Sequence, residues 1–538
     1  MSTDWRNYFP EASPRPIQVE ILDFITTHFD EADAFFCEAP PGVGKSAIAV
    51  CLAQWYHART WETKKDFPAN EAKTYITTTT VSLEDQYVNS YKGRGLKQLH
   101  SSSHYPCTRQ GRKALSCEEG GAITKSTKRG CPGYCPYTAA RAEFTAGIYG
   151  IANISYILTE SCYQGKLGKR GLLIADEGHT LCESICNFLE FRITPKSVAA
   201  LGLHFPTIKE THHEMNDLIA WLIEEYKPRL TERLGLLKLE VEKRQNATDD
   251  PVFAQYAHDV QRFEAEFDRL NAVLQNVNQD HWVLDRGASK REEFFSLTPV
   301  TAKGFSGKIL AGISPKIILL SATLIDFEYH RSELEIEPDR LGIFQAPSPF
   351  PKENRPIFSM PYIKLDYKKI KETCKDAVQV ILPVLERHKN QRGIIFVSSY
   401  DQAAAIKEEL NLDRVRTHEG SGGKKLMLMM HENRADSVII SPSLHEGIDL
   451  RDDLSRFQII VKLPFPSLGS KIVRRKMEIS EEWYNYQTVL KIIQSTGRSI
   501  RTETDTAETY IIDKDFEWFY PRNEHLFPTW FKDAVTTI

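Results

Sequence analysis

The chain has 538 residues, 41% hydrophobic and 26% charged, with a formal net charge of −4. That length is expected to divide into three or four domains, each with its own core. The ordinary composition excludes low-complexity and repeat architectures, and the net charge carries no global nucleic-acid signature. The opening MSTDWRNYFPEASPRP lacks the basic-then-apolar pattern of a signal peptide, and no apolar run approaches the roughly 20 residues of a membrane helix. The expectation is an intracellular protein with no membrane association, cytoplasmic and nucleoid-associated if bacterial or phage. Thiols stay reduced in that setting, so the ten cysteines are not read as disulfides.

The first predicted unit opens with RPIQ (Arg15–Gln18) and an apolar, aromatic run from Ala34. The run leads into APPGVGKS (Ala39–Ser46) and then a helix-forming segment to Tyr56. Strand, glycine-rich loop and helix in that order are what a phosphate-binding loop requires. Pro41, Gly42 and Gly44 would shape the backbone around phosphate oxygens, Lys45 would reach the β/γ-phosphates, and Ser46 would ligate Mg²⁺. Ala39 stands where the general motif has its first glycine, so the strict pattern is not met. The Gln18 amide, with one donor and one acceptor edge, suits adenine.

Between Lys92 and Arg141 there are ten basic residues and two acids, a local balance of +8. Such a run is either a solvated loop or a phosphate-contacting surface. It contains Cys107, Cys117, Cys131 and Cys135, spaced C-x9-C-x13-C-x3-C. Zinc takes four cysteines, usually as two close pairs, and only one close pair is present. Four cysteines also match the ligand requirement of a cubane cluster.

Further on, GLLIADEGHT (Gly171–Thr180) is an apolar run ending in two acids. Packing explains carboxylates at the end of a buried strand poorly, because burying an unpaired charge is costly. Asp176 suits a Mg²⁺ ligand and Glu177 the group that orients attacking water. His179 is read evenly as a link to a neighbouring motif or as an ordinary loop residue. A charged, helix-patterned interval follows, and then KIILLSATL, RGIIFVSSY, DSVIISPSLHEGIDL and ETYIIDKD, each with polar residues at or just past the end of an apolar strand. Parallel sheets place ligands at such ends. QSTGRSIR supplies Gln494, Arg498 and Arg501, the two arginines on one helix face and suited to the charge developing on a transferred phosphoryl group.

In their order, RPIQ, APPGVGKS, ITTTTVSLEDQ, DEGH, SATL, IIFVSSY, HEGIDL and QSTGRSIR resemble the motifs of superfamily 2 helicases. YKGR, FQAPSPFP, VKLPF and HEGIDL narrow the resemblance to the XPD/DinG family. DEGH departs from the usual DEAH by Gly178. The resemblance implies an α/β fold of two RecA-like motor domains with parallel sheets. It places a small Fe–S domain and a helical Arch domain inside the first motor. The boundaries expected are residues 1–95, 151–188 and 299–345 for the first motor, 96–150 for the Fe–S domain, 189–298 for the Arch and 346–538 for the second motor.

It further implies a [4Fe–4S] cluster on Cys107, Cys117, Cys131 and Cys135, ATP and Mg²⁺ as cofactors, and Asp449 among the nucleotide-contacting residues. The activity implied is an ATP-dependent DNA helicase moving 5′→3′ on single-stranded DNA and acting at single-strand/duplex junctions. The expected form is a monomer recruited by protein partners. About 35 residues precede the phosphate loop, so no exonuclease domain is expected there. Competing readings are a translocase that remodels without separating strands, an RNA-directed helicase, and a decayed scaffold. The last is disfavoured by the presence of Lys45, Asp176, Glu177, Arg498 and Arg501.

Overall fold

A computed structural model describes residues 3–108, 116–117, 134–163, 167–244, 251–278, 280–288, 293–348, 350–366, 369–418, 423–444, 452–496 and 505–537. The first half of the chain contributes strands β1 (Ala34–Glu38), β2 (Thr74–Thr78), β3 (Leu96–Gln98), β4 (Tyr149–Asn153), β5 (Leu172–Asp176), β6 (Phe191–Ile193), β7 (Trp282–Ala288), β8 (Glu293–Pro299), β9 (Lys316–Ser321) and β10 (Leu341–Gln345). The second half contributes β11 (Ile357–Ile363), β12 (Gly393–Phe396), β13 (Val415–Arg416), β14 (Val438–Ser441), β15 (Phe457–Ile460), β16 (Glu508–Asp513) and β17 (Val535–Thr537). They form two seven-stranded sheets, ordered β10-β1-β9-β5-β2-β4-β3 and β13-β14-β12-β15-β16-β11-β17, and one three-stranded sheet, β6-β8-β7.

Every pairing in the two large sheets is parallel. The reason is visible in the residues. AFFCE, LLIAD and KIILLS are near-continuous apolar runs, which suit strands covered on both faces. Helix α1 (Pro16–Thr27) and helix α2 (Lys45–Thr63) cover one face of the first sheet, with Ile21, Leu22, Ile48 and Leu52 against Phe35 and Ile174. The other face packs Phe36, Leu173 and Leu319 against Phe144, Ile157 and Ile185. Each fully buried side chain of this kind contributes about 1.5–3 kcal/mol. The second sheet is likewise covered on both faces. Two parallel sheets, each sandwiched by helices, are the expected pair of RecA-like domains.

Two details differ from the sequence expectation. The first sheet reaches into the 96–150 interval, because β3 and β4 are its last two strands. The 189–298 interval is more than helical. Its long helices, Lys227–Lys243 and Pro251–Asn276, share a separate core with the antiparallel sheet β6-β8-β7. The hairpin strands are interrupted by charged residues such as Asp285 and Arg286, which hid their alternation in the sequence.

Candidate functional site

The phosphate loop follows β1 directly, and α2 starts at Lys45. Gly42 and Gly44 have φ of 81° and 85°, a region costly for residues with a Cβ. At Gly44 space is also limiting, since a Cβ would lie 2.6 Å from Gln18 Nε2. Gln18 is buried at the start of α1. Its Oε1 accepts from Arg15 N (2.8 Å), and its Nε2 donates to the carbonyls of Val43 (2.9 Å) and Gly44 (3.3 Å). Arg15 Nη1 donates to Gly42 O (2.5 Å). RPIQ therefore clamps the phosphate loop, and the Gln18 amide read from the sequence as an adenine contact is engaged with the protein itself. Lys45 Nζ donates to Ala39 O at 3.4 Å.

Asp176 ends β5, beside β9 in the sheet and opposite Leu320. Its Oδ1 accepts from Glu177 N (3.0 Å) and its Oδ2 from the Tyr87 hydroxyl (2.7 Å). Loss of hydration raises its pKa first, the neighbouring Glu177 charge adds to that, and Lys45 opposes it. A carboxylate held against these costs beside a lysine and a hydroxyl is chemically suited to a divalent cation with phosphate. Glu177 sits at φ 55°, ψ 43°. That left-handed backbone is uncommon for a residue with a side chain and typical of constrained functional positions. Gly178 explains its own departure from alanine: a Cβ there would lie 2.7 Å from Leu319 Cβ and 3.1 Å from Leu319 Cα.

Helix α3 (Val81–Ser90) begins after the threonine-rich end of β2, with Thr80 capping it by accepting from Leu83 N. Its last turn aims two tyrosines at the loop and the acid. Tyr87 reaches Asp176. Tyr91, the residue that ends the helix, lies 3.1 Å from Ser46 Oγ and donates to Glu11 Oε1 at 3.4 Å. Burial pushes the Tyr91 phenol up to about 12 and that of Tyr87 well above its usual value, so both remain protonated donors. Neither had been assigned a role from the sequence. The available signal was tyrosine at i and i+4 after a strand-end threonine run.

The two RecA-like domains meet at His179 and Gln494. The Gln494 amide lies 3.2 Å from His179 Nε2, and His179 Nδ1 lies 2.8 Å from Ser321 Oγ and 3.5 Å from Glu177 Oε2. An amide that donates to Nε2 puts a ring proton on Nδ1, facing Ser321 and Glu177. The even reading of His179 therefore resolves toward the link between motifs. A second chain runs alongside it. Cys182 Sγ is 3.6 Å from His330 Nδ1, His330 Nε2 is 3.0 Å from the Tyr486 hydroxyl, and that hydroxyl donates to Thr323 O at 3.5 Å. Burial holds His330 down at about 3, so it too is neutral.

In the cysteine-bearing interval, Cys117 and Cys135 are buried with their sulfurs 3.6 Å apart, too far for a disulfide bond. Cys107 is half-buried. Among the described residues, no three His, Cys, Asp or Glu side chains gather closely enough to hold a metal. Two touching sulfurs fit two thiolates on one tetrahedral metal ion and lie closer together than ligands on different irons of a cubane cluster; Cys131 lies outside the described residues, as do Asp449, Arg498 and Arg501. Cys135 also caps the Pro136–Ala146 helix. The end of that helix is pinned by Arg170, whose buried guanidinium donates to the carbonyls of Thr74 (2.9 Å), Ile148 (3.1 Å) and Phe144 (2.5 Å). Among the described cations of the basic run, Arg94 donates to the carbonyls of Phe9 and Pro10, Lys97 pairs with Glu143, and Arg141 stacks on Tyr137. Protein partners thus engage part of the charge counted from the sequence.

A family model described as a helicase C-terminal domain matches residues 382–534. Among curated proteins, the chain is 27% identical over 252 residues to the ATP-dependent DNA helicase YoaA of Haemophilus influenzae, covering 44% of this chain and 38% of that one. It is 24% identical over 341 residues to the ATP-dependent DNA helicase DinG of Photobacterium profundum, covering 56% and 49% respectively. The chain thus spans less than half the length of these relatives. In three dimensions it superposes on a solved XPD helicase with a TM-score of 0.61 at 14% identity, over 98% of this chain and all of the other. The Xpd4 structure from S. tokodaii gives 0.56 at 14% identity, covering 97% and 100%. No helix among the described residues is long and apolar enough to cross a membrane.

Proposed function

We propose that the chain is a member of the XPD/DinG family of superfamily 2 helicases, an ATP-hydrolysing motor that moves along single-stranded DNA and separates duplex. The observation that carries the reading is the contact of Gln494 with His179, which joins the second motor to the acid pair and to Ser321 beside the phosphate loop. Nucleotide would lie between the motors, its phosphates cradled by the loop from Ala39 to Ser46. Ser46 and Asp176 would hold Mg²⁺, which neutralises phosphate charge when bound. Glu177, fixed by its unusual backbone, would orient water in line with the γ-phosphate. Asp449, Arg498 and Arg501 would complete the second wall. For Gln18 to read adenine, its amide would have to exchange the Val43 and Gly44 carbonyls for the base.

Lys45→Ala is expected to abolish hydrolysis stimulated by single-stranded DNA while leaving the circular dichroism spectrum unchanged; retained hydrolysis would overturn the assignment. Strand-displacement assays on substrates with 5′ and 3′ overhangs test unwinding and the 5′→3′ direction implied by the resemblance. Comparing stimulation by DNA and RNA tests the substrate.

Cys107, Cys117, Cys131 and Cys135 would ligate a [4Fe–4S] cluster. A second reading rests on the 3.6 Å between Cys117 and Cys135 sulfurs, because a tetrahedral zinc with bonds of about 2.3 Å spaces its thiolates by about 3.8 Å. Anaerobically purified protein should be brown and carry four irons with acid-labile sulfide, and Cys117→Ser should lose both. Stoichiometric zinc in a colourless protein selects the second reading.

A further inference from the structure

The residues expected to hold a cation with nucleotide are themselves held, and by one helix. Asp176 is gripped at both oxygens, by Glu177 N and by the Tyr87 hydroxyl at 2.7 Å. Among the described residues Ser46 Oγ has one side-chain partner, the Tyr91 hydroxyl at 3.1 Å, and that hydroxyl in turn donates to Glu11. A phenol has one proton to give. If it goes to Glu11, the serine must donate its own proton to the Tyr91 oxygen. The order is then Ser46 O–H to Tyr91, and Tyr91 O–H to the Glu11 carboxylate. In that order the Ser46 lone pairs point away from the tyrosine and stay available to a cation.

Tyr87 and Tyr91 are one turn apart, their ring centroids 6.2 Å from each other, and both rings belong to the core under the first sheet. Both are carried by α3 and its C-terminal cap, and the helix's other end, about 15 Å away at 1.5 Å per residue, is capped by Thr80 just past the end of β2.

We propose that Tyr87 and Tyr91 are positioning residues that set the two cation ligands, Asp176 from one side and Ser46 from the other. The inference rests on the nucleotide-hydrolysis reading above. It assigns a purpose to YKGR beyond Arg94, which ties the same turn to the N-terminal segment through the carbonyls of Phe9 and Pro10.

The test uses Tyr87→Phe, Tyr91→Phe and Glu11→Gln in the full chain. Phenylalanine keeps the packed ring, and Glu11 is exposed, so the third variant perturbs the chain of hydroxyls without touching the core. Mn²⁺ binding is read by electron paramagnetic resonance in the presence of ADP, and ADP binding is read separately in EDTA. Loss of one hydrogen bond to a charged acceptor predicts about 10-fold weaker Mn²⁺·ADP for Tyr87→Phe. The Tyr91 and Glu11 variants should weaken it about 3-fold or more, with metal-free ADP affinity within about 2-fold for all three. The Mg²⁺ concentration needed for half-maximal hydrolysis should rise by the same factors. Mn²⁺·ADP affinity within about 2-fold of the wild type in both tyrosine variants overturns the proposal, as does an equal loss of metal-free ADP binding. Failure of the underlying reading looks different: the wild type then binds no ADP, or Lys45→Ala binds it equally well.

Discussion

Replacing Glu38 by glutamine should stabilise the first motor in alkaline solution relative to acid. Glu38 is the last residue of β1, 1% exposed, immediately before the phosphate loop. Burial pushes its carboxyl from the usual 4.5 up to about 7, against the opposing hydrogen bonds from Gln345, at 2.9 Å, and from the Leu324 backbone. Because the folded value lies above the unfolded one, the stability this group contributes is complete below about pH 4.5 and is lost as pH rises through 7. The 2.5-unit gap is worth about 3.4 kcal/mol at high pH, of which about 2.5 kcal/mol falls between pH 5 and 8.

Glutamine keeps the acceptor for Gln345 and cannot ionise. Its new NH₂ group imposes an offset of about 1–2 kcal/mol that does not vary with pH. The measurable quantity is the change in the difference between the two proteins. Urea denaturation at pH 5 and pH 8, following the transition that added ADP moves, isolates the domain that binds nucleotide. Other raised carboxyls, such as Glu84 at about 7, are common to both proteins and cancel. If the difference between wild type and variant is the same at both pH values to within about 0.5 kcal/mol, the reasoning from burial is wrong.

Gly178→Ala, which restores the common DEAH spelling, should destabilise the protein by about 1–3 kcal/mol, because the new methyl meets Leu319 backbone and Cβ at 3.1 and 2.7 Å; thermal denaturation checks it, and an unchanged midpoint would mean β9 yields at no cost. His330 has its folded value near 3, below the unfolded 6.5, so its contribution is complete above pH 6.5 and is lost as pH falls toward 3. His330→Gln should flatten the acid limb of the stability profile over that window, at a cost of about 1–3 kcal/mol at neutral pH from the broken link to Tyr486.

Much of this architecture was legible in the residues. Apolar runs ending in polar clusters marked β1, β5, β9, β12, β14 and β16, because a parallel strand buried on both faces must be apolar along its length and can change character only at its end. The glycine-rich loop after β1 and the acid pair after β5 could be placed at strand ends for the same local reason. What escaped were contacts between distant segments. Nothing near Tyr87 indicates Asp176, and no spacing rule separates a Gln18 that reads a base from one that clamps the loop 25 residues on. The β6-β8-β7 sheet was missed because its strands carry charges that point into their own domain, as when Arg286 donates to Ile208 O. Gly178 looked like a neutral spelling variant until Leu319 appeared beside it.

The contacts between the two halves of the chain have a consequence for measurement. Among the described residues they include Gln494 with His179, neutral His330 with Tyr486, whose hydroxyl reaches Thr323 O, and one ion pair, Lys471 with Glu214 at 2.9 Å. The uncharged contacts are not screened by added electrolyte, whereas the ion pair is. The cost of bringing the halves together should therefore vary with salt mainly through Lys471 and Glu214. With that pair removed by Lys471→Met, the electrolyte dependence of the proposed DNA binding would carry little contribution from the protein's own rearrangement. Its slope, about 0.7 per phosphate neutralised on a single strand, would then count the phosphates neutralised by the proposed motor.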